Sequence, residues 1–201
     1  MNRQFLYLSS AEAQLSLGFG QASATERLFF ALLPPSGVAQ AAYAVADALR
    51  AELPSARLVS RERLHVTLHY LGEYAGLPPS LLARAQRAAQ ALRIAPFALA
   101  FDRVGSFGGP RRERPGVALG DAAGTAGAHE LHRRLALALA QEGLSGDARF
   151  TPHMTLLYAP RGLAERALDA PLAWQADELA LLRSVRGEAS YREEGRWPLR
   201  A

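Results

Sequence analysis

Two short segments of the chain share a pattern of histidine, an apolar residue, threonine and an apolar residue. Residues 65–68 read HVTL and residues 153–156 read HMTL. Side chains alternate between the two faces of a β-strand, so we expect His65 and Thr67 to lie on one face, opposite their apolar neighbours. The same alternation places His153 beside Thr155. Each segment is therefore predicted to present an imidazole and a hydroxyl side by side.

Two such pairs facing one phosphate would supply what metal-free phosphodiester cleavage requires. A base must take a proton from the attacking water, and an acid must protonate the departing oxygen. Histidine can do either near neutral pH because its unperturbed pKa is about 6.5. Threonine hydroxyls can donate hydrogen bonds to the non-bridging oxygens, where negative charge grows in the transition state. We therefore predict that His65 and His153 are catalytic and that Thr67 and Thr155 bind phosphate.

The repetition of the motif is stronger evidence for a function than either copy alone. A single His-apolar-Thr triplet is common in strands and says little about function. Here both copies follow a predicted helix in the same order and both are flanked by apolar strand residues. Coincidence is therefore a poor explanation for the pair.

The other histidines are interpreted as structural or solvated residues. His69 has the strand spacing that would place it on the face of His65, and we expect it to be partly exposed. A zinc pair at this spacing would need a helix and an intervening Glu, whereas Tyr70 and its neighbours favour a strand. His129 and His132 lie three residues apart on a predicted helix and are expected to be solvated. We predict no metal and no other cofactor.

The elements that would position the motifs occur twice in the same order. The first half predicts a strand over 27–33, a helix over 37–53, a histidine strand over 64–71, a helix over 80–93 and a strand over 97–104. The second half predicts a strand over 117–119, a helix over 126–142, a histidine strand over 152–158 and late strands over 178–185 and 190–199. These assignments rest on hydrophobic periodicity. The repeated order indicates an internal duplication.

Composition excludes several classes of protein. The 201 residues include no cysteine, which rules out disulfides, thiolate catalysis and iron–sulfur clusters and is compatible with the cytoplasm, where we expect the protein. No stretch approaches the roughly 20 apolar residues of a membrane span. All 23 basic residues are Arg, and the net charge is +4. This excess suits a polyanionic partner, although codon usage in a GC-rich genome explains it as well.

The chain resembles the 2H phosphoesterase superfamily and, within it, the LigT-like RNA 2′,3′-cyclic phosphodiesterases, historically called 2′-5′ RNA ligases. The matching segments are residues 27–35, 64–72, 150–158 and 191–200. The resemblance leaves residues 1–26 as an N-terminal extension of uncertain order and makes residues 27–201 a single bilobal domain. It implies an α+β fold with two pseudo-symmetric lobes, each an antiparallel sheet with outer helices, and an active-site cleft between them.

The resemblance also implies roles for the motif residues. His65 would protonate the ribose 3′-oxygen, and His153 would activate water, leaving a 2′-phosphomonoester on the RNA end. Some family members carry an Arg five residues after the second histidine, where this chain has Tyr158. Arg161 is close enough in sequence to replace that Arg. We expect a monomer that acts on RNA ends or small nucleotides and has no membrane partner.

The loop over residues 105–116 offers further candidates for RNA contacts. Its arginines could contact the backbone, and an aromatic ring could stack on a base. These candidates are Phe107, Arg111, Arg112 and Arg114. A solvated loop would have the same composition. Two alternatives for the whole protein stay open: a phosphodiesterase acting on another cyclic or 2′-5′-linked nucleotide, and an RNA-end-binding module without turnover, which the two intact motifs disfavour.

Overall fold

The structure, a computed structural model, describes residues 25–108, 112–145 and 149–201. Within these ranges the chain forms nine strands and three α-helices. In chain order they are β1 (Glu26–Leu32), α1 (Ser36–Arg50), β2 (Arg57–Leu58), β3 (Val66–Tyr74), α2 (Pro79–Gln90), β4 (Phe97–Ser106), β5 (Arg114–Leu119), α3 (Ala122–Gln141), β6 (His153–Ala159), β7 (Arg166–Ala176), β8 (Glu178–Val185) and β9 (Arg192–Pro198). A 3₁₀ turn, Arg61–Arg63, precedes the first histidine motif.

The strands form two antiparallel sheets, one for each histidine motif. Sheet A has the order β3-β1-β8-β9, and sheet B has the order β2-β6-β5-β4-β7. The first histidine strand, β3, lies at one edge of sheet A, whereas the second, β6, lies inside sheet B. The predicted α+β fold with two antiparallel lobes is confirmed.

The internal duplication is visible in the pairing. In the first half β1 leads through α1 to β3, and β1 and β3 pair antiparallel. In the second half β5 leads through α3 to β6, and these strands also pair antiparallel. The late strands β8 and β9 return to sheet A, while β4 and β7 complete sheet B.

Strand β1 is apolar from Leu28 to Leu32 because both of its faces are covered there. Leu28 and Phe30 point into the main core, which both sheets and all three helices share. Phe29 and Ala31 point the other way and form a smaller cluster with Leu182 of β8. A strand buried on both sides reads as a continuous hydrophobic run, as residues 28–32 of β1 do.

Strand β7 is missing from the sequence prediction for a local reason. Pro171 interrupts the segment, and the alternation of buried and exposed residues begins only at Leu172. The strand pairs with β4 at the edge of sheet B, where a proline needs no ladder partner.

Two of the histidine predictions are wrong. His69 is fully buried, its Nε2 donates to the carbonyl oxygen of His132 at 2.8 Å, and the two rings stack 4.0 Å apart. His132 is 9% exposed and stacks on Phe150 at 4.3 Å. The pairing between β1 and β3 shifts register around Leu68, which is the extra residue of a β-bulge. Such an insertion reverses the alternation beyond it, so His69 turns into the core. His129 is exposed, as predicted.

Candidate active site

The four motif side chains line one cleft of about 820 Å³. His65 and Thr67 reach it from sheet A, and His153 and Thr155 reach it from sheet B. In both motifs the intervening apolar residues are buried, so each strand is anchored by the face opposite the cleft. The alternation predicted for the tetrapeptides holds in both copies.

Hydrogen bonds on both sides orient the His65 ring. Its Nδ1 lies 2.8 Å from the carbonyl oxygen of Arg63, and its Nε2 lies 3.0 Å from Oγ1 of Thr67. A carbonyl oxygen can only accept, so Nδ1 carries the proton of the neutral ring. Nε2 then accepts from the Thr67 hydroxyl. In the free protein this threonine is therefore engaged with the histidine.

Aromatic rings enclose His65. Phe29 lies 5.1 Å away and tilted, and Tyr191 meets it edge-on at 5.3 Å, both between ring centroids. This burial disfavours the charged imidazolium and lowers the pKa of His65 to about 4, an effect opposed by the Arg63 carbonyl and reinforced by nearby positive charge at His153 and Arg63. His65 is therefore neutral at pH 7 when the cleft holds no anion.

Arg63 and Tyr191 are site residues that sequence reasoning did not single out. The Arg63 guanidinium lies 4.2 Å over the Tyr191 ring and donates to Oγ of Ser184 and to the carbonyl of Glu188, both at 3.1 Å. The sequence offers only indirect evidence that these two residues belong to the site. Arg63 stands two residues before His65, and Tyr191 opens the closing segment that resembles the family.

His153 is held through Nδ1, as His65 is, but its Nε2 has no hydrogen bond like the one from Thr67 to His65 among the described residues. Its Nδ1 lies 2.8 Å from the carbonyl oxygen of Thr151, which leaves Nε2 free to exchange a proton. The Phe107 ring meets the imidazole edge-on at 4.9 Å between centroids. Burial lowers the pKa of His153 and outweighs the opposing effect of the Thr151 carbonyl.

A matching bulge in the second motif places a matching tyrosine in the cleft. The pairing between β5 and β6 shifts register around Leu156, directly after Thr155. In each strand the residue five positions after the histidine then lines the cleft, and in both it is a tyrosine, Tyr70 and Tyr158. Tyr70 was also missed, although both motifs read His-x-Thr-Leu-x-Tyr.

Arg57 takes a position for which the sequence suggested Arg161. Tyr158 lines the cleft, and the Arg57 guanidinium lies 4.9 Å over its ring. Arg57 and Tyr158 are register partners across β2 and β6, and Arg57 also faces Glu113 at 3.5 Å. Arg161 is exposed and does not line the cleft.

The candidates in the loop over residues 105–116 differ in where they lie relative to the cleft. Phe107 and Arg114 line a second pocket that adjoins the cleft at His153. Arg112 is exposed and lines neither the cleft nor that pocket. Arg111 lies outside the described residues.

Charge in the cleft favours an anion. Its lining includes Arg27, Arg57 and Arg63 against one carboxylate, Glu113. No group of three His, Asp or Glu side chains within the described ranges is arranged to hold a metal ion. In the same ranges, the helices are too short or too polar to cross a membrane.

A family model of the 2′-5′ RNA ligase superfamily matches residues 34–188, a range that includes both histidine motifs. The chain therefore belongs to this superfamily, whose members are phosphoesterases and ligases. Comparison with curated protein sequences finds no match.

Solved structures agree with this assignment. One described as a phosphoesterase is 25% identical, with a TM-score of 0.66 over 88% of this chain and 99% of its own. LigT of E. coli complexed with 3′-AMP is 26% identical, with a TM-score of 0.62 over 87% and 98%. TT0787 of Thermus thermophilus is 24% identical and shares the fold, with a TM-score of 0.70 over 87% and 98%.

Proposed function

We propose that the protein hydrolyses RNA 2′,3′-cyclic phosphate ends to 2′-phosphomonoesters by acid/base catalysis with His65 and His153. One observation carries the proposal: two imidazoles from separate sheets line one arginine-bordered cleft, each with Nδ1 tied to a backbone carbonyl. With Nδ1 occupied in this way, Nε2 is the nitrogen of each ring that would exchange a proton with the substrate. The structural likeness to LigT, which binds 3′-AMP, supports a nucleotide substrate.

The reaction assigns one proton transfer to each histidine. Nε2 of His153 takes a proton from water as the water oxygen attacks phosphorus. The bond between phosphorus and the ribose 3′-oxygen breaks, and His65 gives its Nε2 proton to that oxygen. The phosphate stays on the 2′-oxygen. Both histidines then recover their starting states by exchange with solvent.

The threonines would stabilise the charge that develops on the phosphate. Thr67 donates to Nε2 of the neutral His65 in the free protein. When His65 carries a proton on Nε2, that nitrogen no longer accepts, and the hydroxyl is released to donate to a phosphate oxygen. Thr155 lines the opposite side of the cleft and would donate in the same manner.

Negative charge on the bound substrate would raise the pKa of His65 and so keep this residue protonated as the acid. The pKa of His65 is about 4 in the free protein, which leaves the ring without the proton that an acid must carry. A bound phosphate places negative charge beside the imidazole and favours its charged form. Substrate binding therefore prepares His65 for its role.

The direct test is incubation with an oligonucleotide that ends in a 2′,3′-cyclic phosphate, followed by determination of where the phosphate resides. We expect a 2′-monophosphate as the product. A module that only binds RNA ends would return the cyclic phosphate unchanged. Turnover of a different cyclic or 2′-5′-linked nucleotide in preference to the RNA end would support the other phosphodiesterase alternative.

Chelation should not reduce this activity. No cluster of metal-binding side chains occurs in the described part of the chain, and two histidines suffice for both proton transfers. We expect the same rate before and after dialysis against excess EDTA. A rate that disappears with EDTA and returns with an added divalent cation would contradict the two-histidine mechanism.

The pH optimum of kcat/KM, which reports the free enzyme and free substrate, should lie below neutrality. Catalysis needs one imidazole protonated and the other neutral, so kcat/KM should follow a bell. Burial lowers the pKa of both rings, that of His65 to about 4 and that of His153 below its ordinary value, so the alkaline limb should fall below about pH 6.5. The limbs report the pair and not the single residues.

The same experiment at saturating substrate should give a different profile. Bound phosphate raises both pKa values, and the limbs of kcat should therefore move upward relative to those of kcat/KM. Circular dichroism at each pH would control for unfolding. A kcat/KM that stays flat between about pH 5 and about pH 9 would contradict proton transfer by these histidines.

A further inference from the structure

A small cavity of about 130 Å³ continues the cleft along sheet A. We call it the sheet A pocket. Arg27 and Ser184 line both the cleft and this pocket, and Thr25 and Arg186 complete its described lining. The proton transfers proposed above make no use of it.

The pairing of β1 with β8 places these four residues on two successive rungs of one ladder. Arg27 and Ser184 are register partners. The backbone N–H of Arg186 donates to the carbonyl oxygen of Thr25 at 2.7 Å, so the pairing continues one rung beyond both strands. Residues two apart in a strand share a face, and the pocket therefore lies along the face that carries Arg27.

The same face of β1 leads to the first motif histidine. Phe29, two residues after Arg27, lies 5.1 Å from the His65 ring between centroids. A strand rises about 3.4 Å per residue, so the rung of Arg27 lies about 7 Å beyond Phe29 and the rung of Arg186 about 14 Å beyond it. The row therefore leads from a reacting group to the outer end of the cleft.

Charge in the sheet A pocket favours an anion. Its described lining has two guanidinium groups and no carboxylate. Arg27 also pairs with Glu73 at 2.6 Å, but a guanidinium has several N–H donors and this pair leaves others available. Ser184 accepts from Arg63 at 3.1 Å, and its hydroxyl can still donate.

The volume of the pocket limits the size of the anion. Pockets that enclose a whole small molecule measure about 300–1,000 Å³. One water occupies about 30 Å³ in the liquid, so a cavity of about 130 Å³ has room for about four waters, or for one phosphate group. The sheet A pocket therefore suits a single phosphate and not a nucleotide.

The proposed function, on which this inference rests, indicates which phosphate this is. The attacking and leaving oxygens lie roughly in line on opposite sides of phosphorus. His65 serves the leaving 3′-oxygen, so the ribose of the terminal nucleotide lies on the His65 side. The rest of the RNA continues from the 5′-oxygen of that ribose, and the row from Phe29 through Arg27 to Arg186 lies on the same side.

We propose that the sheet A pocket binds the phosphodiester that joins the terminal nucleotide of the RNA to the nucleotide before it. Arg27 and Arg186 donate charge-assisted hydrogen bonds to its non-bridging oxygens. The site distinguishes the end of an RNA chain from a cyclic mononucleotide, since only the chain carries this phosphate. It contributes to binding and takes no part in proton transfer.

The test compares two substrates that differ in this phosphate alone. One is a nucleoside 2′,3′-cyclic phosphate with a free 5′-hydroxyl, and the other carries a 5′-phosphate methyl ester, which has the single charge of an internucleotide phosphate. We expect the wild-type protein to have a lower KM for the ester. Arg186→Gln should raise that KM about threefold to tenfold, between the effects of an exposed ion pair and of a charge-assisted hydrogen bond. The KM for the 5′-hydroxyl substrate and kcat for both substrates should change less than about twofold.

Arg200→Gln is the matched control, because Arg200 is exposed and lines neither the cleft nor the sheet A pocket. The effect of Arg186→Gln should also decrease as salt is added, since exposed charges are screened. Equal KM values for the two substrates in the wild-type protein would overturn the inference. So would an Arg186→Gln protein whose KM changes equally for both substrates or for neither.

A separate measurement applies if the wild-type protein hydrolyses neither substrate, in which case the proposed function fails. Calorimetry then compares the binding of adenosine 3′-monophosphate with that of adenosine 3′,5′-bisphosphate. Tighter binding of the bisphosphate that Arg186→Gln weakens and Arg200→Gln does not would still support the pocket. Equal affinity for the two ligands would overturn it.

Discussion

Replacing His153 or His65 by alanine should lower kcat for cyclic-phosphate hydrolysis by roughly 10²–10⁴-fold, which is the usual contribution of a positioned acid or base. In the proposed mechanism, His153→Ala removes the group that accepts the proton of water, and His65→Ala removes the donor to the 3′-oxygen. The double variant should be far less impaired than the product of the two effects, because both residues act on one transition state. Single-turnover rates with a saturating oligonucleotide would measure this directly.

The control for these variants is His129→Ala, since His129 is exposed on α3 and does not line the cleft. His65→Gln separates loss of the acid from loss of a hydrogen bond. Its amide can still donate to the Arg63 carbonyl that fixes the ring, but it cannot act as the acid. Thermal unfolding should show that the variants are folded. Full activity in folded His153→Ala would end the proposal of two-histidine catalysis.

Replacing either motif threonine by valine should cost about 2–4 kcal/mol in transition-state stabilisation, equivalent to a loss of about 30- to 1000-fold in kcat. Valine keeps the shape and removes the donor. Thr67→Val should have a further effect that Thr155→Val lacks. The Thr67 hydroxyl donates to neutral His65, so its loss should raise the pKa of His65 and move the acidic limb of kcat/KM upward.

Thr25→Val is the control for the threonine variants, because Thr25 is exposed and does not line the cleft. Both kcat and KM should be measured, since a threonine that only binds phosphate in the ground state would change KM alone. Unchanged kcat in both motif variants would remove the threonines from the proposed mechanism.

Local periodicity was sufficient to predict the motif strands. The buried Val66 and Met154 alternate with cleft-lining histidines and threonines as a period of two requires. The same rule failed at His69 because of the β-bulge. A bulge is defined by the pairing of two strands, so the residue spacing within one strand does not reveal it. It failed at β7 because Pro171 resembles a break unless the strand is known to lie at an edge.

Local periodicity could not predict which side chains surround the histidines. Tyr191 reaches His65 from the far end of the chain, and Arg57 meets Tyr158 only because β2 pairs with β6. Contacts of this kind depend on the tertiary arrangement and not on local pattern. The burial that lowers the pKa of His65 arises from the same contacts, so the sequence alone predicted the residue but not its proton affinity.

The paired bulges divide each histidine strand into two parts with different surroundings. Before the bulge, a histidine and a threonine are held in register by buried neighbours, and we expect a change there to disturb the proposed reaction. After the bulge, one side chain returns to the core and the next, Tyr70 or Tyr158, borders the cleft without belonging to the reacting set. We therefore expect substitution at these two tyrosines to change ligand preference more than the rate of the proposed reaction. In each half of the chain, the fold thus places a position that we expect to be free to vary three residues after one that the proposed reaction requires.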